Sequence, residues 1–343
     1  MRARLSTAPC LVLLVATLSA QSADRLVQAF TDAIRAYQRG NVESATGALT
    51  GWSPRDLQRV DQAVIASRDR PLISAGAMVH TELALLGTLD RREATVTMHL
   101  GLAESLVQAI PPAQSAEFRR HWYTLAASLL FANTSPEGAR PFVGRGLRQF
   151  PNDAALHRMA GIIEETLAHF EDPECTGPGC DARGPRSRAR PMLTRAESEY
   201  RRALELDAQL VDARLRLGRV LFLANQLPRA RDELSAAARQ ADDAQTGYLA
   251  HLFLGGLADH EGDFAIAARE YETALRLAPE HQTPYLALSF AEQMTGAVAK
   301  ARQTMSAMTA RPRTDAADPW LHYQNGGGIN ADSLRWLRED VRR

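Results

Sequence analysis

From residue 24 onward, apolar positions recur at three- and four-residue intervals, the period of a helix with one buried face. Leu26–Tyr37, Arg55–Ser67, Leu72–Leu86 and Glu93–Ile110 each read as an amphipathic helix on this spacing. Pro54, Pro71 and Pro111-Pro112 punctuate them at places suited to helix starts and breaks. No stretch sustains apolar–polar alternation, so no sheet is expected.

Beyond residue 120 the helical pattern itself repeats. From Val211 the chain reads Leu217-Gly218, Leu221, Ala230, Leu234 and Ala237. From Tyr248 it reads Leu254-Gly255, Ala258, Gly262, Ala267, Tyr271, Ala274 and Pro279. From Gln282 it reads Tyr285, Leu288-Ser289, Gly296, Ala301, Met305 and Met308. Large residues in a first helix and an aromatic in a second would fill the groove between two antiparallel helices. Gly218, Gly255, Ala230, Ala267 and Ala274 fall where those helices must approach closely. Gly262 and Gly296 supply the left-handed backbone of the turn, and Pro279 stops the second helix.

This pattern resembles the tetratricopeptide repeat, a helix–turn–helix unit of about 34 residues. Tyr248–Pro279 carries the match most fully, followed by Val211–Asp242 and then Gln282–Arg313. Arg120–Asp153 fits the same frame. The next first helix is Ala154–Phe170, but its second-helix signature appears late, at Ala196, Tyr200 and Ala203. That delay implies an insertion at about 171–191.

The expected organisation is therefore a leader at 1–23, degenerate helical repeats at 24–119, tetratricopeptide-like repeats at 120–313, and capping helices at 314–343. The resemblance implies an all-α, right-handed α-solenoid. The final helix, Ala331–Val341, has one apolar stripe through Leu334, Leu337 and Val341, which suits a polar-backed terminal cap. Before it, Asp318-Pro-Trp-Leu-His-Tyr323 begins a short helix, and its Asp-Pro-Trp…Tyr pattern is similar to endings of exported bacterial repeat proteins.

The leader has the order of a secretory signal peptide. Arg2 and Arg4 precede the apolar run Leu11–Leu18, and small residues follow through Ala20 and Ala23. Cleavage near Ala20–Ala23 would send the chain to the periplasm or outside the cell. No later run of consecutive apolar residues is long enough for a membrane span.

Charge narrows the partners. Forty basic and forty acidic residues cancel, and losing the leader leaves about −2. That balance excludes a strongly electrostatic partner such as bulk nucleic acid. Only Lys300 is a lysine; the other basic residues are arginines, which a GC-rich genome accounts for.

Catalytic signatures are missing. The sole lysine lies in Val298-Ala-Lys-Ala-Arg302, outside any phosphate-cradling glycine loop. His260-Glu261 lacks the second histidine of a zinc-protease helix, and no Gly-x-Ser-x-Gly elbow occurs. No enzyme activity, metal or cofactor is implied.

Cys175-Thr-Gly-Pro-Gly-Cys180 reads as a local disulfide in an exported chain, because the Gly-Pro-Gly turn brings its ends together. A metal site there would need two further ligands, with only Asp172, Glu174 and Asp181 nearby. The insertion around it is acidic first and basic later.

The resemblance places a partner on the concave face formed by the first helices. Its inward positions carry over to Arg158, Ile162 and Glu165, to Leu215, Arg219 and Phe222, to Leu252 and His260, and to Leu286 and Phe290. Of these, Arg158, Ile162, Arg219, Phe222, His260 and Phe290 are the candidate partner-binding residues, with arginines for carboxylates or carbonyls and aromatics for apolar area. The function expected is a protein-interaction scaffold. Two alternatives stand beside it: an exported hydrolase using the N-terminal helices and His80, and a carrier of a small ligand.

Overall fold

The computed structural model describes residues 24–111, 115–133, 136–171, 189–311, 317–324, 326 and 328–343. The leader, the Cys175–Cys180 pair and most of the expected insertion lie outside the described residues.

Every regular element among the described residues is helical. The chain divides into two compact units, 1–133 with 330–343, and 134–329.

The first unit holds α1 (residues 24–38), α2 (Val42–Gly47), α3 (Pro54–Ser67), α4 (Arg70–Leu89), α5 (Glu93–Ala109), α6 (Ala116–Ala132) and α17 (Ala331–Arg342). Local chemistry sets the starts. The Ser53 hydroxyl accepts the Asp56 N–H at 3.2 Å, and Asp69 accepts that of Leu72 at 3.1 Å, each just ahead of a proline in the first turn. Its core gathers Phe30, Tyr37, Met78, Leu100, Trp122 and Tyr123. Helix α4 is long and apolar enough to cross a membrane, but most of it is buried in the protein. It is a core helix.

The second unit holds α7 (Pro136–Gln149), α8 (Ala154–Glu171), α9 (Ala189–Leu206), α10 (Val211–Leu223), α11 (Leu227–Gln240), α12 (Ala244–His260), α13 (Phe264–Leu277), α14 (Thr283–Met294), α15 (Val298–Ala310) and α16 (Pro319–Gln324). Successive helices pair as α8–α9, α10–α11, α12–α13 and α14–α15. Burial explains the pattern of each pair. Helix α12 packs against neighbours on several sides and buries most of its length, whereas α13 covers one side and buries only Ala267, Tyr271 and Ala274. The turns use left-handed backbone at Gly262 and Gly296, with φ of +81° and +82°, and Asn225 takes the same place in the α10–α11 turn at 59°. Asparagine tolerates that conformation better than most side chains.

Helices α8 and α9 pack as a pair although residues 172–188 separate them in the chain, and the displaced signature residues Ala196, Tyr200 and Ala203 are all fully buried. An all-α helical repeat fold is therefore observed.

Two expectations differ from the structure. Helices α6 and α7, expected as one pair, fall in different units, and α6 packs on α4, α5 and α17. Helix α17, expected among the C-terminal caps, belongs to the first unit. Its stripe explains why: Leu337 and Val341 are buried there, and Trp336 stacks on His121 of α6 at 4.4 Å. Arg338 adds two charge-assisted bonds to the buried Glu82 carboxylate, at 2.7 and 2.8 Å.

Candidate functional site

In the second unit, side chains of the first helices α8, α10 and α12 and of the start of α14 converge on one groove. The unexpected feature is that it is already occupied. Residues 318–323 of the same unit lie on it, and Trp320 and Tyr323 join the cluster formed by Leu215, Leu252 and Phe253.

Each end of this segment has a polar anchor. At its start, Asp318 accepts from the Tyr248 hydroxyl at 2.8 Å and from the Thr283 hydroxyl at 2.6 Å. At its end, the Tyr323 hydroxyl donates to Glu165. Aromatic contacts fill the interval. Trp320 stacks on Tyr323 at 5.7 Å, and both meet Phe253 edge-on, at 5.4 and 5.1 Å. The Arg219 guanidinium stands 5.3 Å from the ring centroids of Phe222, Phe253 and Trp320, and that of Arg216 lies 4.2 Å from Tyr323. A small recess beside Trp320 is lined by Arg219, Leu252, Phe253, Gly256 and Thr283.

Under the aromatic layer runs a line of alternating charge. Glu165 accepts from Tyr200 at 2.6 Å and from Arg216 at 3.3 Å. Arg216 also reaches Asp212 at 3.2 Å, and Asp212 takes a 2.6 Å bond from Arg158. Burial acts to raise the Asp212 pKa, but Arg216 and Arg158 together outweigh it and hold the carboxyl below its ordinary range. Burial first, then the neighbouring Glu165 carboxylate, pushes the Tyr200 and Tyr323 hydroxyls well up. Both stay protonated and serve as donors.

The residues expected to bind a partner meet different fates. Ile162, Arg219 and Phe222 are buried, and Phe222 meets His260 edge-on at 5.5 Å. Arg158 is committed to Asp212. Phe290 is open, with Leu286 one turn before it and Met294 one turn after. Sequence reasoning did not single out Arg216, Tyr248, Phe253 or Thr283 as groove residues. The Asp318-Pro-Trp…Tyr323 pattern was the available signal, because it concentrates one carboxylate and two aromatics in a stretch with no repeat role.

In the first unit, His80 lies fully buried, with Nε2 3.1 Å from Asp61 and Nδ1 3.0 Å from His99 Nδ1. A proton on His80 Nε2 and one on His99 Nδ1 satisfy both bonds. Burial, and then His80, lowers the His99 pKa to about 4. Neither nitrogen of His80 faces an open cleft as a catalytic base requires. Among the described residues, no cluster of three or more His, Cys, Asp or Glu is placed to hold a metal.

No protein-family model matches the chain, and no curated protein matches it. Several solved structures are similar to part of it. The chain is similar to the pilF protein of Pseudomonas aeruginosa at 18% identity, covering 66% of this chain and 88% of that one, with a TM-score of 0.47. It is similar to TTC0263, a tetratricopeptide repeat protein of Thermus thermophilus, at 15% identity, 66% and 99% coverage and a TM-score of 0.41. A MamA protein gives 16%, 55% and 90%, and 0.42. These likenesses concern the fold alone.

Proposed function

We propose that this protein is a non-catalytic scaffold that binds a protein or peptide partner on the inner face of its second unit, in the cell envelope or outside the cell. The observation carrying this reading is that the inner face already seats a peptide segment, residues 318–323, through side chains of four different helices. A surface with matched carboxylate, aromatic and hydroxyl contacts is built for peptide recognition.

An open extension lies on α14. Leu286, Phe290 and Met294, at four-residue spacing, are about half exposed at 49%, 48% and 51%. Exposed apolar side chains in file on one helix face suit contact with a second protein. Export rests on the leader sequence, and the same compartment would oxidise Cys175 and Cys180 to a disulfide.

Affinity capture from envelope extract tests the scaffold reading. The wild-type chain should retain a partner that Leu286→Glu and Phe290→Glu lose, with melting temperatures unchanged. Full capture by both variants would place the partner surface elsewhere. A reporter fused to residues 1–30 should be exported and trimmed between Ala20 and Asp24; retention at full length would refute the location.

A further inference from the structure

The occupant of the groove carries more information than its presence. Residues 318–323 use three side chains, each with its own receptor. Asp318 takes two hydroxyl donors, Tyr248 and Thr283. Trp320 is held by Arg219 and Phe253, and Tyr323 by Phe253, the Arg216 guanidinium and the Glu165 carboxylate. The array reads Asp-x-Trp-x-x-Tyr.

Physical reasons make this occupant exchangeable. Helix α16 has six residues, too few to be stable alone, so its order depends on these contacts. Leu321 within it is half exposed, and Trp320 is only partly covered. The groove also tolerates its departure. Glu165 would keep Tyr200 and Arg216, and Arg216 would keep Asp212. Arg219 would keep the Phe222 and Phe253 rings and gain water on the side that Trp320 leaves.

Building on the scaffold reading, we infer that the groove recognises an acidic–aromatic peptide of the form Asp-x-Trp-x-x-Tyr, and that residues 318–323 are its built-in occupant. A partner protein presenting the same array in an exposed segment displaces them. The tethered copy competes at the high effective concentration of an intramolecular ligand, so the free groove is a minor state that sets the partner's threshold. Charge and shape select the partner: one carboxylate for the two hydroxyls, and two flat rings for two buried guanidinium groups.

The test uses the full chain and a fluorescein-labelled peptide with the sequence of residues 317–324, followed by anisotropy. Trp320→Ala/Tyr323→Ala, which empties the groove in cis, should bind the peptide at least about tenfold more tightly than wild type does. A peptide with alanine in place of its tryptophan should lose that binding. Equal binding to both proteins, or binding to neither, would overturn the inference. If the double variant fails to fold, hydrogen exchange on the wild type decides: saturating peptide should strip protection from the amides of 320–324, and unchanged protection overturns the proposal. A wild-type dimer that dissociates on Trp320→Ala would identify the occupant as a second copy of this chain, which also overturns it. Failure of the peptide with capture still sensitive to Phe290→Glu would remove this inference alone; insensitivity of capture would remove the scaffold reading too.

Discussion

Tyr271 lies flat across Gly255, so close that a Cβ on the glycine would stand 2.4 Å from the ring's Cε1. Gly161 and Tyr200 repeat the relationship in the α8–α9 pair at 2.5 Å. In both, the small residue of a first helix makes room for the aromatic of the second. Gly255→Ala should therefore cost about 1–3 kcal/mol, because the ring is enclosed and must shift. Gly101→Ala on α5 makes the same chemical change where nothing lies within 4 Å of the new methyl. It should gain about 0.5–1 kcal/mol from helix propensity. Urea unfolding of the two variants should move in opposite directions; a shared direction would break the account of why these glycines differ.

The turn glycines give a milder case. Gly262 sits at φ +81° with open space around it, so its role is conformational and not steric. Gly262→Ala should cost about 1–2 kcal/mol, the penalty of left-handed backbone for an L side chain. A loss well above about 2 kcal/mol would mean the turn is also packed.

The buried carboxylate of Glu82 depends on the far end of the chain. Arg338 holds it with two bonds, and Tyr37 donates a third at 2.9 Å. Arg338→Ala should destabilise the protein by about 3 kcal/mol, since it leaves a buried charge with a single neutral donor. Arg335→Ala, one turn earlier and exposed, should change little. Similar thermal shifts for both would show that α17 is held by its apolar stripe alone.

Helix positions were largely legible in the sequence because 3.6-residue periodicity survives even where the repeat signature fades. The helices expected at 55–67 and 93–110 are observed at Pro54–Ser67 and Glu93–Ala109. What the pattern could not disclose was the partner of each face. The stripe of α17 suits a cap on the last repeat and an addition to α4 and α6 equally well, since both want Leu337 and Val341 buried. Pairing Arg338 with Glu82, 256 residues earlier in the chain, is a tertiary event with no local trace. The groove followed the same logic. Family positions pointed to Arg219 and Phe222 as inward residues, but an inward side chain is open only when nothing else fills the space. Trp320 and Tyr323 fill it.

Acid should weaken the first unit through His99. Burial and the neighbouring His80 hold its pKa at about 4, against 6.5 for the free side chain. In the folded protein His99 stays neutral where the unfolded chain already binds a proton. Its contribution is thus complete above about pH 6.5 and is lost as pH falls from 6.5 toward 4. Stability measured by urea at pH 7 and pH 5 should decline, and His99→Phe should flatten part of that decline. An unchanged slope in the variant would assign the acid sensitivity to carboxylates instead.

Glu165 is the point where the groove's support and its occupant meet, and two substitutions separate those roles. The carboxylate accepts from Tyr200 and Arg216 in the wall and from Tyr323 in the occupying segment. Tyr323→Phe removes one donor of three and keeps the ring over Arg216 and beside Phe253, so it should cost only about 1 kcal/mol. Glu165→Leu removes the acceptor. Two buried hydroxyls then lose their partner, and the buried Arg216 loses one of its two carboxylates, keeping Asp212 and the Tyr323 carbonyl. The loss should reach about 3–5 kcal/mol. Denaturant titrations followed by circular dichroism would compare the two directly. If Tyr323→Phe proved as damaging as Glu165→Leu, the segment at 318–323 would be an integral part of the core, and the wall beneath it would not be self-sufficient.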